Sequence, residues 1–498
     1  MKGINSLPYS GVSKNENRLF DKAEMRDKSI EFRLQDGSVV VVIGAGPAGT
    51  FFAHFALKIA RKTGIRVRVL LIDGKDFERT GPPGCNMCAG VVSESLMANI
   101  EDEGFSLPRG RVQDVIAGFV IRGPTGSVVL KPPGGSRVAG HTFFRGSGPR
   151  FGNPGPAVSF DDLLLVEAQK RGAELIRGWV REMTLPPDRN SPAKLVCDTG
   201  EGTTLVQADL VVGAFGLNTR MLKVVEGLGF GYRVPRTRRA CQVELFLGRD
   251  VVQRLLGNNV HLWSGLPGGL RYAAMTPKGE HITLSLIGRG DVALEGLKEF
   301  MALPRVKKAM PTGWQFPVRF CHCAPRIGDT TAHKPHSDRM VVIGDACASR
   351  YYKNGIESAF ITAKTAAECA FFHGISNRSF KRYYMKPIER TIIKDNAYGH
   401  FLFYMHDLIA RSGLGWRVMT HLADARRDTQ AACLLRMALW DIVTGSRPYR
   451  DIFFRLLNPK LLTAAALVLP STLLRAGRQG SPIELREAES PPVDKEIF

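Results

Sequence analysis

The stretch that decides the fold is Val39-Val40-Val41-Val42-Ile43-Gly44-Ala45-Gly46-Pro47-Ala48-Gly49-Thr50. An apolar strand runs directly into the pattern G-x-G-x-x-G, and an amphipathic helix follows. Gly44 permits a tight turn, Gly46 lets backbone N–H groups reach a pyrophosphate, and Gly49 lets the helix lie close on the strand. This order of strand, turn and helix predicts a βαβ unit that binds a dinucleotide.

Two further features complete this unit. Pro47 suits the first helical turn because its missing N–H costs no hydrogen bond there, and Ala48 follows it beside the expected pyrophosphate. A second apolar strand over Val67–Ile72 ends at Asp73. A carboxylate at that point is placed to accept hydrogen bonds from an adenosine ribose.

A second strand-to-helix junction lies far along the chain. Met340–Ile343 is apolar and ends in Gly344-Asp345-Ala346, and Gly355-Ile356 opens a helix a few residues later. A Gly-Asp turn before a helix can present its carboxylate to a ribityl hydroxyl, with helix N-terminal amides facing phosphate or flavin oxygens. Together with the first motif, this junction narrows the predicted dinucleotide to FAD.

The composition is that of a globular protein with an unusual charge. The chain has 498 residues, 44% of them hydrophobic and 23% charged, and a formal net charge of +21. The length allows two or three domains. The charge calls for an anionic partner, either a membrane surface or an acidic substrate. Nucleic acid is not expected, because no helix-turn-helix, zinc-finger or RNP pattern is present.

The sequence predicts a cytoplasmic protein. Residues 1–17 are polar without the apolar core of a signal peptide. No apolar run reaches the ~18 residues that a membrane-spanning helix needs. Nine cysteines, an odd number, indicate reduced thiols.

The periodicity of the chain predicts an α/β fold, α+β overall, with a Rossmann-like FAD-binding domain in discontinuous segments. Alternating residues from about 236 to 334 predict an antiparallel, β-rich substrate domain with one face covered. Residues 29–34 predict a short strand that turns at Asp36-Gly37. The predicted boundaries are 1–37 for a lead-in, 38–115, 155–235 and 336–375 for the FAD-binding domain, 116–154 and 236–335 for the substrate domain, 376–480 for a helical region and 481–498 for a disordered tail.

At this point the chain resembles a known family. GAGPAG, Asp73, Phe160–Leu163 and Gly344–Ala346 look like the FAD-binding motifs of p-hydroxybenzoate hydroxylase-type flavoproteins, and the best match within them is the geranylgeranyl reductase family. The remaining segments that carry the resemblance are Cys85–Gly90, Tyr272 with Pro277–Gly279, Gly288–Gly290, Trp440-Asp441, Thr444-Gly445 and Tyr449–Asp451. The resemblance implies an FAD-dependent oxidoreductase acting on an isoprenoid.

Three positions depart from that family. Phe215 stands where the family has an aspartate, on the cofactor side of the site, and Ala274 and Thr276 stand where it has Trp and Phe in the substrate stretch. The electron donor therefore stays open between NAD(P)H and a reduced protein carrier. The substrate is expected to be an apolar small molecule or lipid.

The candidate catalytic residues are Cys88 and Tyr272. A phenol in a dry pocket can act as a general acid, and the alternative for Tyr272 is packing in the β domain. Cys85 and Cys88 fit a redox-active dithiol, a half zinc site completed by Cys321-His322-Cys323, or a loop in which Cys88 lines the flavin pocket. The last reading is the default, and no metal is expected.

The sequence favours reduction of carbon–carbon double bonds by hydride transfer from reduced flavin. The first alternative is a flavin monooxygenase or halogenase; the halogenase pattern Trp-x-Trp-x-Ile-Pro is absent, and Trp314-x-Phe316-Pro317 echoes it only faintly. The second is a non-catalytic, basic, membrane-binding flavoprotein. Cationic residues alternate with aromatic and aliphatic ones between about 401 and 478, which predicts peripheral membrane contact through the C-terminal region.

Overall fold

The computed structural model describes residues 32–108, 112–151, 159–352, 355–424, 426–427 and 429–478. The strands are β1 (Ser38–Ile43), β2 (Val67–Ile72), β3 (Val91–Ser93), β4 (Asp114–Ile116), β5 (Gly118–Arg122), β6 (Ser127–Leu130), β7 (Gly140–Thr142), β8 (Glu174–Ile176), β9 (Gly178–Thr184), β10 (Ala193–Thr199), β11 (Gly202–Ala208), β12 (Leu210–Gly213), β13 (Thr237–Arg239), β14 (Cys241–Phe246), β15 (Asn259–Ser264), β16 (Leu270–Lys278), β17 (His281–Gly288), β18 (Cys321–Cys323), β19 (Arg326–Gly328), β20 (His336–Ser337) and β21 (Met340–Val342).

The helices, numbered in the same way, flank these strands and form the C-terminal region. They are α1 (Pro47–Thr63), α2 (Glu94–Asp102), α3 (Phe160–Lys170), α4 (Met221–Glu226), α5 (Arg249–Leu256), α6 (Leu294–Ala302), α7 (Pro304–Ala309), α8 (Gly355–Glu368), α9 (Asn377–Ser379), α10 (Lys386–Ile388), α11 (Lys394–Arg411), α12 (Gly413–Ala423), α13 (Gln430–Thr444), α14 (Tyr449–Leu456) and α15 (Pro459–Arg478). Turns of π-helix over Cys369–His373, Phe380–Met385 and Glu389–Ile393 join α8 to α11.

A six-stranded sheet forms the centre of the first domain. Its order is β20-β21-β12-β1-β2-β8, and every pair except β20–β21 is parallel. The buried runs of β1, β2 and β12 are rich in valine, leucine and isoleucine, as parallel strands covered on both faces should be. Helices α1 and α8 pack together, and Phe360 contacts Phe51 and Phe55 edge to face. The distant junction at 340–356 therefore joins the same domain as the opening motif.

The two ends of the chain lie largely outside the described residues. This applies to residues 1–31 of the predicted lead-in and to the predicted disordered tail at 481–498. The described part of the predicted strand at 29–34 forms no strand; Phe32 and Leu34 are instead buried in the core of the first domain. The turn at Asp36-Gly37 is present, with Gly37 at φ +85°.

A seven-stranded sheet of order β18-β14-β17-β16-β15-β5-β6 forms the second domain. The prediction of a purely antiparallel sheet is wrong at one pair, because β15 runs parallel to β5. The prediction of one covered face is also wrong for β17, in which all eight residues are buried. This strand lies inside the sheet between β14 and β16, with an apolar core on one face and a cavity wall on the other.

A two-stranded sheet, β13-β19, and two three-stranded sheets complete the β structure of the described residues. One is the meander β11-β10-β9, and the other has the order β3-β7-β4. In the second, β7 falls in the segment 116–154 that the sequence placed in the substrate domain, yet it pairs with β3 and β4. This small sheet therefore ties the two domains together.

Helices α11 to α15 pack against the outer strands of the seven-stranded sheet. A single apolar cluster contains Phe119 and Val260 of that sheet, Trp416 of α12 and Leu461 of α15. Helix α15 continues through Pro470. In the described part of the chain no single helix is long and apolar enough to cross a bilayer, whereas α14 and residues 459–470 of α15 reach that length and composition only as a pair bent by 55°.

We expect Gly49→Ala to destabilise the first domain. A Cβ at this position would lie 1.9 Å from the carbonyl oxygen of Gly44, which is backbone and has no room to move. Overpacking of this kind costs about 1–3 kcal/mol, or several degrees in the thermal midpoint. Gly200→Ala is the control, because nothing lies within 4 Å of its added Cβ. Equal thermal midpoints for the two variants would contradict the close packing of α1 on β1.

Candidate active site

One cavity of about 1050 Å³ extends from the carboxyl ends of β1 and β2 to the face of the seven-stranded sheet. It brings together nearly all of the residues that the sequence singled out. The predicted residues that line it are Gly44, Gly46, Pro47, Ala48, Asp73, Cys88, Tyr272, Gly344, Asp345, Gly355 and Ile356. Gly49 does not line the cavity; it lies beneath the turn at Gly44.

The turn between β1 and α1 presents free backbone donors to this cavity. Gly44 has φ +105°, and a Cβ there would lie 2.6 Å from the carbonyl oxygen of Ala214. Helix α1 begins at Pro47, has no side-chain cap at Gly46 and no acidic residue in its first turn. Its first N–H groups and the positive end of its dipole therefore favour an anion such as a pyrophosphate.

Asp73 stands at the end of β2, where the cavity begins. Its Oδ2 accepts a hydrogen bond of 2.8 Å from the Ala45 N–H, and its Oδ1 accepts one of 2.8 Å from the Lys75 N–H. Burial raises the pKa of this carboxyl above its ordinary value, although the two hydrogen bonds act to lower it. The bonds fix the carboxylate in place, and each oxygen retains a lone pair for a ribose hydroxyl.

Asp345 has an unsatisfied oxygen. The side chain is partly buried, and its Oδ1, which is shielded from solvent, has no hydrogen-bond partner among the described residues. A Cβ at Gly355 would lie 3.3 Å from Oδ2, so the glycine leaves room around this carboxylate. Burial raises the pKa of Asp345, and the positive charge of Arg145 opposes that shift. A buried acceptor without a donor fits a ligand hydroxyl.

The two halves of the site touch each other. Gly344 has φ +65°, and a Cβ on it would lie 2.9 Å from the Cβ of Ala48 on α1. The Gly344 N–H donates to Thr362 Oγ1 of α8 at 2.9 Å. The uncapped start of α1 and the unpaired Asp345 oxygen thus open into one cavity, and they fit the pyrophosphate and the ribityl hydroxyls of FAD.

A buried polar network that the sequence did not reveal supports the cavity wall. Asp161 is fully buried; its Oδ1 is 2.7 Å from Arg145 Nε and its Oδ2 accepts from Asn86 Nδ2 at 2.5 Å. Lys75 Nζ in turn donates to Asn86 Oδ1 at 2.7 Å. Arg145, Asn86 and Lys75 line the cavity, whereas Asp161 does not. Asp161, part of the Phe160–Leu163 segment, therefore positions residues of the site instead of reaching into it.

The two cysteines of the 85–90 loop have different positions. Cys88 lines the cavity, as Arg145 does, whereas Cys85 does not line it. Burial raises the pKa of the Cys85 thiol. Both are free thiols. In the described residues no group of three His, Cys, Asp or Glu side chains is arranged to hold a metal ion, so nothing here supports the zinc alternative.

The face of β16 forms the apolar end of the cavity. Tyr272, Ala274 and Thr276 alternate along this strand and all three line the cavity. Burial raises the pKa of Tyr272, so its phenol keeps its proton, and its hydroxyl points to the Tyr352 carbonyl at 3.5 Å. Because Ala274 and Thr276 are small, the cavity is wider at this wall than it would be with the large aromatic side chains of the resembling family.

Two other predicted positions can now be placed. Phe215 lines the cavity with its ring against Gly213, so this part of the cofactor side carries no carboxylate. Trp314 and Phe316 are partly buried and pack against each other, with ring centroids 5.7 Å apart, at the edge of the core of the second domain. Neither lines the cavity, so the faint halogenase-like pattern is not part of this site.

Comparisons with known proteins agree with this geometry. No protein-family model matches the chain. In sequence it is 24% identical over 417 residues to a digeranylgeranylglycerophospholipid reductase from Methanocaldococcus jannaschii, covering 80% of this chain and 91% of that protein. In structure it is similar to a geranylgeranyl bacteriochlorophyll reductase-like protein from Thermoplasma acidophilum, with a TM-score of 0.60, 15% identity, and coverage of 85% of this chain and 99% of the other.

A flavin-dependent halogenase has a similar fold, with a TM-score of 0.55, 15% identity, and coverage of 89% of this chain and 78% of the halogenase. The predicted α/β fold and the resemblance to geranylgeranyl reductases are confirmed. The predicted FAD cofactor and oxidoreductase class agree with these relatives. The alternative of a halogenase uses the same fold.

We expect Asp345→Ala to weaken FAD binding about 10- to 100-fold, because a hydrogen bond to a charged acceptor is worth about 1.5–3 kcal/mol. The measurement is titration of apoprotein with FAD, followed by flavin fluorescence. Asp250→Ala, an exposed carboxylate on α5, is the control. Unchanged FAD affinity in the Asp345 variant would remove this residue from the site.

Proposed function

We propose that this protein binds FAD and reduces carbon–carbon double bonds in an isoprenoid chain carried by a lipid. One observation carries the proposal: a single cavity joins the split dinucleotide site to an apolar wall on the seven-stranded sheet. The Methanocaldococcus relative, a digeranylgeranylglycerophospholipid reductase, supports the substrate class.

Held by the turn at Gly44 and by Asp73 and Asp345, FAD in its reduced form would supply the hydride for one carbon of the double bond. The protein contributes orientation, exclusion of water and a proton. The Tyr272 phenol, kept protonated by burial, donates a proton to the other carbon and recovers it from solvent. Cys88, beside Arg145, is the second candidate for the donor.

The apolar end of the cavity supports a long-chain substrate. Ile116, Phe119, Val260, Leu262 and Ile287 line it together with the small residues of β16. The five named side chains are purely apolar and offer no hydrogen bond to a hydroxylated or charged substrate. An unbranched polar substrate would leave these side chains without an apolar contact, whereas a bound isoprenoid chain would cover them.

We further propose peripheral contact of the C-terminal helices with an anionic bilayer at the cytoplasmic side. Exposed large apolar side chains, here called the apolar face, lie on three of these helices or directly after one. They are Phe401, Tyr404 and Leu408 of α11, Phe454 of α14, Leu457 directly after it, and Leu462, Leu467 and Leu469 of α15. All nine cysteines are free thiols, which suits a reducing compartment.

Aromatic contacts connect α11 and α14 within the apolar face, and a cation lies beside them. The rings of Phe401 and Phe453 are 5.4 Å apart, as are those of Phe453 and Phe454. Arg450 lies over Phe454 at 5.8 Å. The core cluster on which α15 packs also contains Phe119 and Val260, which line the cavity.

The test of the reaction uses the purified yellow protein reduced anaerobically with dithionite. We expect a dispersed geranylgeranyl lipid to reoxidise the flavin faster than oxygen does, and mass spectrometry to show two added hydrogens per turnover. A stable oxygen adduct in the flavin spectrum would favour the monooxygenase alternative. A flavin that neither acceptor reoxidises would favour the non-catalytic alternative.

We expect Tyr272→Phe to slow the reoxidation by the lipid about 100-fold or more, because general acid catalysis contributes about 10²–10⁴. Tyr352→Phe is the control, since it removes a second phenol from the same cavity and keeps the carbonyl that Tyr272 faces. The reoxidation rate is followed by stopped-flow absorbance. A loss in Cys88→Ser and not in Tyr272→Phe would move the proton donor to Cys88.

Replacing Phe401, Phe454 and Leu467 by serine is expected to weaken binding to phosphatidylglycerol-containing vesicles more than tenfold, since each buried apolar side chain contributes about 1.5–3 kcal/mol. The control replaces Leu205, Phe246 and Val318, which are exposed elsewhere on the surface. Binding is measured by vesicle co-sedimentation. Equal losses in the two variants would show that the apolar face has no special part in binding.

A further inference from the structure

The cavity wall on the seven-stranded sheet changes in polarity from one strand to the next. Along each strand, successive side chains alternate between the cavity face and the apolar core on the opposite face. The strand β15 contributes Val260 and Leu262 to the cavity face. The cavity-facing residues of the next three strands are Tyr272, Ala274 and Thr276 of β16, Ser285 and Ile287 of β17, and Gln242 of β14.

One row of paired residues crosses this change in polarity. Gln242 lies opposite Ser285, which in turn lies opposite Ala274. Ala274 lies opposite Leu262 of β15. Thr276 follows two positions after Ala274 on the same face, and we call Gln242, Ser285 and Thr276 the polar patch. Because neighbouring strands are about 4.8 Å apart, the polar patch and the apolar strand β15 are roughly 10 Å apart, within the length of one substrate.

The polar patch is buried, but its hydrogen-bonding capacity is not fully used within the protein. Gln242, Ser285 and Thr276 are 5%, 8% and 1% exposed, and all three line the cavity. Ser285 Oγ donates to Gln242 Oε1 at 3.1 Å, which leaves the Nε2 group of the amide. Among the described residues, neither Gln242 Nε2 nor the Thr276 hydroxyl has a hydrogen-bond partner. Since buried polar groups are normally paired, these two donors favour a ligand that accepts hydrogen bonds.

The polar patch is uncharged. The next row of the same face holds Glu244 opposite Thr283, and Thr283 opposite Thr276. Lys278 Nζ pairs with Glu244 at 3.0 Å, and neither of these two residues lines the cavity. The donors available to a ligand are thus a neutral amide and a neutral hydroxyl. They suit a carbonyl oxygen, whereas a phosphate or carboxylate is bound most strongly by cations.

A carbonyl at this place has a consequence for the reduction of a double bond. Hydride addition to one carbon of an isolated double bond leaves an electron pair on the other carbon. When the double bond is conjugated to a carbonyl, the pair moves to the carbonyl oxygen, and fixed donors beside that oxygen stabilise the negative charge that develops there. A proton added to the carbon next to the carbonyl then restores the carbonyl.

We propose that the polar patch binds the carbonyl oxygen of an isoprenoid substrate whose reacting double bond is conjugated to that carbonyl. This inference rests on the proposed function and narrows its substrate class. The Gln242 amide and the Thr276 hydroxyl donate to the oxygen, and the isoprenoid chain extends past Ala274 to β15. One hydride from reduced FAD, which is oxidised by two electrons, and one proton from Tyr272 add two hydrogen atoms to the substrate.

The small side chain of Ala274 leaves the polar patch open to the cavity. Ala274 pairs with Ser285 and is followed two positions later by Thr276, so it lies beside both polar groups. The family that this chain resembles has Trp and Phe where Ala274 and Thr276 stand, and rings of that size would cover the polar patch. The two departures from that family therefore expose the donors that the proposed substrate needs.

The first test measures binding to the oxidised protein with FAD bound, so that no reduction takes place. The probes are farnesal, whose aldehyde is conjugated to a double bond, and the hydrocarbon that has a methyl group in place of the aldehyde. Affinities are measured by equilibrium dialysis. The carbonyl stretch of ¹³C-labelled farnesal is recorded in the complex by infrared spectroscopy.

The test variant replaces the polar patch by apolar residues of similar size. All three members change together, so that no buried polar group is left without its partner. FAD content and the thermal midpoint establish that each variant is folded. The substitutions of the test variant are Gln242→Leu, Ser285→Ala and Thr276→Val, and those of the control variant, at exposed positions elsewhere, are Gln207→Leu, Ser127→Ala and Thr204→Val.

We expect the native protein to bind farnesal at least tenfold more tightly than the hydrocarbon, because a site built to hydrogen-bond a group rejects an analogue without it. The carbonyl stretch of bound farnesal should lie below its value in hexane. The test variant should lose both effects and keep its affinity for the hydrocarbon within about twofold, and the control variant should behave as the native protein does. Equal affinities of the native protein for the two probes would overturn the proposal, as would an unchanged preference in the test variant.

A second test separates this proposal from the proposed function. Protein reduced anaerobically with dithionite is mixed with farnesal or with farnesol, the alcohol without a conjugated carbonyl, and flavin reoxidation is followed by stopped-flow absorbance. We expect farnesal to reoxidise the flavin at least tenfold faster, with two hydrogens added beside the aldehyde in the product. Reduction of a geranylgeranyl lipid without any preference for farnesal would retain the reductase function and overturn the role of the polar patch. Binding of farnesal with a lowered stretch, but reduction of neither lipid, would retain the polar patch as a carbonyl site and contradict the proposed function.

Discussion

The site depends on backbones that approach more closely than any side chain would allow. The carbonyl of Gly44 lies under Gly49, the carbonyl of Ala214 closes on Gly44, and Gly344 lies against Ala48. These contacts bring the ends of β1, β12 and β21 to one point. Two segments about 300 residues apart in sequence can therefore contribute to one cofactor site. The charges and hydrogen bonds of the cofactor site depend on this close backbone arrangement, which glycine permits.

The first half of this frame could be predicted because its causes are local. The run from Val39 to Thr50 contains the strand, the turn and the helix, so its geometry follows from residues that are neighbours in sequence. Asp345 could be found for the same reason, at the end of its own apolar strand. The structure places both in one cavity, and it adds that Asp345 Oδ1 has no hydrogen-bond partner among the described residues, which no sequence pattern records.

The features that could not be predicted depend on contacts between residues that are far apart in sequence. Arg145 belongs to no motif and lies where it does because Asp161 holds it at 2.7 Å. The parallel pairing of β15 with β5 and the burial of both faces of β17 arise from neighbours that are remote in sequence. The alternation of polar and apolar residues predicts a strand well, but it does not indicate which strand lies beside it or what covers the second face.

The parallel pairing of β5 with β15 also has a consequence for the order of folding. Val120 pairs with His261, and the chain between them builds α3, the β9–β11 meander and β12 of the first domain. The seven-stranded sheet can close only after a large part of that domain has been made and has brought residues 118 and 259 together. Loop closure over this distance is slow, because its entropic cost precedes any contact that repays it. During synthesis the cofactor domain would thus serve as the template on which the substrate sheet is assembled.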